Sequence, residues 1–196
     1  MQFTVTLNLF GRVMSGMVRK GVPDKQERRE IRQAYREILE RASDIGAKNT
    51  LLFSYTLAAF FIAMNRVRTA SPEENIAIME EGMRTSKMVK AMMGSGKSYF
   101  SEKRMEERRS WSKQTHERQY ANDWVVDVLE QSPDYRFGLD YTECGVCKLC
   151  RDEGCPELAK YLCSLDFMLV DLMGIRLKRT MTLAEGAPKC DFRFYE

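Results

Sequence analysis

Apolar positions recur at helical spacing through the first 120 residues, and beyond residue 122 they alternate as strands do. Over 24–45, Ile31, Ala34, Tyr35, Ile38, Leu39 and Ala42 fall three or four apart among charges of both signs. That spacing predicts a surface helix, with Pro23 and Asp24 suiting its first turn and Gly46 its end. Positions 50–64 are apolar on nearly every face, which predicts a central core helix. Ser71-Pro72-Glu73-Glu74 combines an N-cap serine, a first-turn proline and two carboxylates on the positive helix end, and so starts a third helix over 72–92. The stretch 98–120 is rich in Glu, Lys and Arg with few large apolar residues, the composition of a solvated helix or a mobile connector.

After Asn122 the texture changes. Residues 124–129 and 135–141 have strand composition and flank a Ser-Pro-Asp turn. Helical spacing returns over 156–173, 175–183 is β-like, 184–188 is a glycine-containing turn, and 190–195 alternates as a last strand. The expected fold is α+β, a single domain over 1–196. Residues 1–120 form a mainly helical half, packed on an antiparallel sheet drawn from 121–196 that also carries a Cys-rich helical insertion.

Composition narrows the function classes. With 44% hydrophobic and 30% charged residues the chain can bury a core, and a formal charge of +3 indicates neither a nucleic-acid footprint nor attraction to anionic membranes. The longest uncharged stretch, 49–65, contains Asn, Thr, Ser and Tyr and is too short and too polar to span a bilayer. The opening MQFTVTLNLFGRVM has neither a basic leader region nor a small-residue cleavage site. The expectation is a cytoplasmic protein without nucleic-acid or membrane partners, whose thiols are free or metal-bound; a homodimer stays open.

Four features invite a chemical reading. Gly94-Ser-Gly-Lys-Ser98 imitates a phosphate-binding loop but has Ala91 where that loop needs glycine, so its glycines are read as ending the third helix. His116, the single histidine, sits in a charged segment and is read as a surface residue. All six cysteines lie at or beyond residue 144. Cys144-x2-Cys147-x2-Cys150-x4-Cys155 has spacing that suits zinc or an iron-sulfur cluster, while the plain alternative is buried thiols acting as small hydrophobes. Finally, Cys163 and Asp166 stand three apart in a predicted helix, which puts a thiol and a carboxylate on one face, with Arg179 as a cation close in sequence.

The stretch Arg179-Thr180-x-Thr182-Leu183-x-x-Gly186-x-x-x-Cys190-Asp191-Phe192-x-Phe194, preceded by Gly154-x-Pro156-Glu157-Leu158 and Cys163-x-x-Asp166, resembles the L-2-amino-thiazoline-4-carboxylic acid hydrolase family. Cys144 also falls on the family pattern, whereas Cys147, Cys150 and Cys155 are additional to it. The ending Gly186-x-x-x-Cys190-x-Phe192 is similar to 4-vinyl-reductase-like small-molecule-binding domains, which share a fold with TRAPP tethering subunits. The resemblance implies helices packed on an antiparallel sheet and a hydrolase that opens the ring of a 2-aminothiazoline-4-carboxylate-like molecule to a carbamoyl-cysteine. It implies Cys163 as nucleophile or metal ligand, Asp166 as acid/base and Arg179 as carboxylate clamp, with Cys144 and Cys190 closing the site. The alternative is a non-catalytic small-molecule-binding or sensing domain in which Cys144, Cys147, Cys150 and Cys155 hold zinc or an iron-sulfur cluster.

Overall fold

A computed structural model describes residues 4–195. Residues 1–3 and 196, which belong to the expected 1–196 domain and the opening segment, lie outside the described residues. The chain opens with helices α1 (Thr4–Met17), α2 (Lys25–Arg41), α3 (Leu52–Val67), α4 (Pro72–Thr85), α5 (Lys87–Met93), α6 (Gly96–Tyr99) and α7 (Glu102–His116). Strands β1 (Val125–Leu129) and β2 (Phe137–Glu143) follow, then α8 (Gly145–Asp152), α9 (Ala159–Leu162) and α10 (Leu165–Leu172), and finally β3 (Arg176–Lys178) and β4 (Cys190–Tyr195). The strands form one antiparallel sheet in the order β1-β2-β4-β3. The fold is therefore α+β, a helical half followed by a sheet interrupted by the cysteine-bearing helices. Among the described residues no helix is long and apolar enough to cross a membrane.

Local chemistry sets the helix ends. Asp24 caps α2 by accepting the Gln26 N–H at 2.9 Å. The helix stops at Arg41, short of Gly46, because Asp44 accepts the Gly46 N–H and Asn49 bonds the Ile45 carbonyl and the Leu51 N–H, so these side chains offer the backbone an alternative to the helix. Ser71 and Glu74 form a reciprocal capping box on α4. The expected single helix over 72–92 is instead two. Ser86 ends α4, and its hydroxyl accepts the Val89 N–H to cap α5.

Helix α3 is the hub of the helical core: every residue from Tyr55 to Met64 is buried, and α1, α2, α4 and α8 surround it. A second apolar cluster lies under the sheet. Register pairs Phe137 with Phe194, Leu139 with Phe192 and Tyr141 with Cys190, so these six side chains share one face. Phe137 and Phe194 stack with centroids 4.6 Å apart, and Val170, Met173 and Met105 close over that face. Tyr141 packs against both clusters.

Two expectations change here. The segment 98–120 contains α7, which is neither free nor merely solvated: Ser112 donates its hydroxyl to the Val126 carbonyl and Thr115 accepts the Val126 N–H, so the helix covers the open edge of β1. The β-like stretch 175–183 pairs only over β3, because Asp191 on β4 captures the backbone beyond it, as described next.

Candidate functional site

Helical spacing over 156–173 is broken at Cys163–Ser164, and that break shapes the site. Its cause is local. The Ser164 hydroxyl returns to the Tyr161 carbonyl, and a turn separates α9 from α10. The Cys163 carbonyl accepts Arg179 Nη2 at 3.0 Å. Three residues on, in the first turn of α10, Asp166 Oδ2 accepts Arg179 Nη1 at 2.6 Å. Arg179 therefore clamps both ends of the turn that carries Cys163 and Asp166. Its guanidinium lies over Phe167 and Phe192 at 4.9 and 5.1 Å from the ring centres.

The loop that delivers Arg179 is held from β4. Asp191 Oδ1 accepts the N–H groups of Thr180 and Met181, both at 2.8 Å, and its Oδ2 accepts the Thr180 hydroxyl at 2.6 Å. Burial works against this carboxylate, but these hydrogen bonds outweigh it and hold its pKa below the usual range. Gly186 follows in the left-handed conformation at φ +85°, the turn that lets the chain re-enter β4.

Cys163, Asp166, Arg179, Cys190 and Cys144 all line one cavity of about 110 Å³. Leu51, Ser54 and Leu57 from the first turns of α3 form one wall, and Trp124, Tyr141 and Phe192 from the sheet side form another. At Leu51, Ser54, Tyr141, Asp166, Leu169 and Phe192 this cavity adjoins a larger cleft of about 670 Å³ that runs between α7, α10 and the sheet. Asp166 sits deep in protein, yet its side chain keeps 37% of its surface open because it faces both spaces.

That setting decides the charge states. Burial pushes the Asp166 carboxyl up to about 6, against the opposing pull of Arg179. Burial and the Asp166 charge push the Cys163 thiol far above its ordinary value, so it is protonated at neutral pH. Burial likewise pushes Cys190 up to about 11, although its sulfur accepts the Leu183 N–H at 3.2 Å. Cys144 goes the other way: a hydrogen bond from the Cys147 thiol and the N–H groups of Cys147 and Val146 at the start of α8 hold it below the ordinary thiol range. A Cβ on Gly145 would stand 2.5 Å from the Asn122 carbonyl and 2.7 Å from the Trp124 ring, so glycine is what lets α8 seat Cys144 against the cavity.

The four thiols of the 144–155 run do not converge. They lie as two hydrogen-bonded pairs, Cys144 with Cys147 and Cys150 with Cys155, and Cys150 is fully buried in the helical core. Among the described residues no three Cys, His, Asp or Glu side chains come together as a metal site requires. All six cysteines are free thiols. His116 pairs with Asp127 at 2.9 Å on the surface and lines neither cavity. Gly94 ends α5, and the Gly96 N–H bonds the Met173 carbonyl, so the phosphate-loop mimic is a packed helix junction.

Two residues of this arrangement fall outside the candidate site residues of the sequence. Tyr141 could have been found from the alternation Phe137, Leu139, Tyr141, which points it to the same face as Phe137. Asp191 stands beside Cys190 in the motif, but its brace on Thr180 is a tertiary contact.

No curated protein and no solved structure matches the chain. The family model described as L-2-amino-thiazoline-4-carboxylic acid hydrolase matches residues 49–194, a span that includes every residue lining both cavities. The chain therefore belongs to the L-2-amino-thiazoline-4-carboxylic acid hydrolase family.

Proposed function

We propose that the protein hydrolyses the ring of a 2-aminothiazoline-4-carboxylate-like small molecule, adding water at the amidine-like carbon to give a carbamoyl-cysteine. The observation that carries this reading is the Asp166 carboxylate. It faces a small apolar cavity, is held in orientation by Arg179, and has a pKa of about 6. A carboxylate so tuned takes and returns a proton near neutral pH. In the proposed sequence Asp166 removes a proton from water as the oxygen bonds to the amidine carbon and the C=N electron pair moves to nitrogen. The nitrogen electron pair then re-forms the C=N bond as the bond from that carbon to the departing ring heteroatom breaks, Asp166 returns the proton to that heteroatom, and the hydroxyl proton shifts to nitrogen to give the carbamoyl group.

Cys163 lines the same cavity as a neutral thiol, which supports direct attack by water over a covalent route through this sulfur. Arg179 holds Asp166 and offers its remaining N–H donors to the ring carboxylate, with the neutral Cys190 thiol on the wall beside it. The binding-domain alternative needs Cys144, Cys147, Cys150 and Cys155 on one metal, and their separation into two pairs does not favour it. Incubation with 2-aminothiazoline-4-carboxylate in heavy-oxygen water tests the proposal. One heavy oxygen in the carbamoyl group of the product is expected, and absence of any ring-opened product would overturn it.

A further inference from the structure

The smaller cavity and the cleft beside it are unequal in a way that bears on the substrate. An apolar cavity of about 150 Å³ takes up a benzene, so a space of about 110 Å³ suits the aminothiazoline ring and little more. The adjoining cleft, about 670 Å³, falls within the range of roughly 300–1,000 Å³ typical of ligand pockets and far exceeds what the ring could fill. Its walls are mainly apolar, with Met93, Leu139, Val170, Met173 and Phe194 among them.

Within these walls stands Arg108. The half-buried guanidinium lies 4.1 Å from the Tyr99 ring centre and 4.4 Å from that of Phe137. It bonds the sulfur of Met105 and the hydroxyl of Tyr99, and among the described residues it has no carboxylate partner. The contrast with its neighbours is direct: Arg104 pairs with Glu107, and Arg109 pairs with Glu102 and Glu130. A cation held over two aromatic rings without a carboxylate of its own, at the Arg104, Glu107 and Arg108 side of a mainly apolar cleft, can receive an anion at the end of an apolar body.

We infer that the substrate is a ring-opening target that carries an apolar arm ending in an anion, with the ring in the cavity at Asp166, the arm along the cleft and the anion on Arg108. The inference rests on the hydrolase reading for the ring and adds the chemical class of the rest of the molecule. Asp166, Leu51, Ser54, Tyr141, Leu169 and Phe192 are common to the walls of both spaces, so a molecule lying in both would pass beside Asp166.

The test uses a 2-aminothiazoline-4-carboxylate bearing a carboxyphenylethyl arm on its ring, the matching arm carboxamide and the bare ring compound, titrated by calorimetry into the wild-type protein, Arg108→Gln and Arg108→Lys. The arm acid is expected to bind the wild type about tenfold or more tighter than either comparison compound, consistent with a charge-assisted hydrogen bond in a shielded site. Arg108→Gln should erase the difference between acid and carboxamide, and Arg108→Lys should keep most of it. Equal affinity of acid and carboxamide for the wild type would overturn the inference even if Arg108→Gln failed to fold, and so would an undiminished preference in a folded Arg108→Gln. Turnover of the bare ring compound by the wild type separates the two readings. Ring opening without an acid preference overturns the arm site alone, and an acid preference without ring opening overturns the hydrolase reading alone.

Discussion

Arg179 donates to the Asp166 carboxylate at 2.6 Å while only 7% of the arginine side chain is exposed, so the cation that orients the carboxylate is itself buried by the cavity wall. Arg179 works against burial, and the result is a carboxyl with a pKa of about 6. If Asp166 acts as the base, the rate at low substrate rises with pH through about 6 in the wild type. Removing the cation in Arg179→Met lets burial push the carboxyl higher, so the rising limb should move to higher pH. A pH profile of kcat/KM checks this, and an unmoved limb would detach Arg179 from Asp166.

The same shift has a consequence for stability. The folded-state pKa of about 6 lies above the ordinary value of 3.8, so the contribution of Asp166 is full below the lower value and is lost as pH rises through the higher one. Asp166→Asn does not titrate. Its melting temperature relative to the wild type should therefore increase from pH 4 to pH 7, by an amount reduced by the partial exposure of the side chain. A relative melting temperature that falls over this window would contradict the assigned shift.

Asp191 should matter through Arg179. Asp191→Ala removes three hydrogen bonds from Thr180 and Met181, and a stability loss of about 1–3 kcal/mol is expected in urea unfolding. The freed loop no longer fixes Arg179, so turnover should fall further than in a surface variant of equal stability. Asp191→Asn keeps one acceptor oxygen and should recover part of both losses.

The thiol pairs lead to a different measurement. Because Cys144 with Cys147 and Cys150 with Cys155 pack as separate pairs, prolonged treatment with a strong chelator should leave the melting temperature unchanged within about 1 °C. A large fall on chelation, reversed by zinc, would mean that the segment reorganises around a metal.

Much of this arrangement was legible in one dimension. The capping residues Asp24 and Ser71, the apolar run of α3 and the alternation of β2 and β4 each announce an element through local chemistry, and the family motif already joined Cys163, Asp166, Arg179 and Cys190. What could not be read was tertiary. Ser86 and Ser164 break helices through their own hydroxyls, although the apolar spacing runs on through both positions. Helix α7 looked solvated because it meets the β1 edge through Ser112 and Thr115, polar residues, while few large apolar residues such as Met105 mark its sheet side. Arg108 is one of many charges in the 98–120 stretch, and sequence spacing brings neither Tyr99 nor Phe137 to it.

The most direct measurement is turnover of 2-aminothiazoline-4-carboxylate by Asp166→Asn beside the wild type, with near-ultraviolet circular dichroism recorded on both. Loss of a proton-transfer group is expected to lower kcat about 10²- to 10⁴-fold while the spectrum of the folded protein is kept. Turnover within about twofold of the wild type, or loss of the folded spectrum without a specific loss of turnover, would contradict the assignment of Asp166 as the group that activates water.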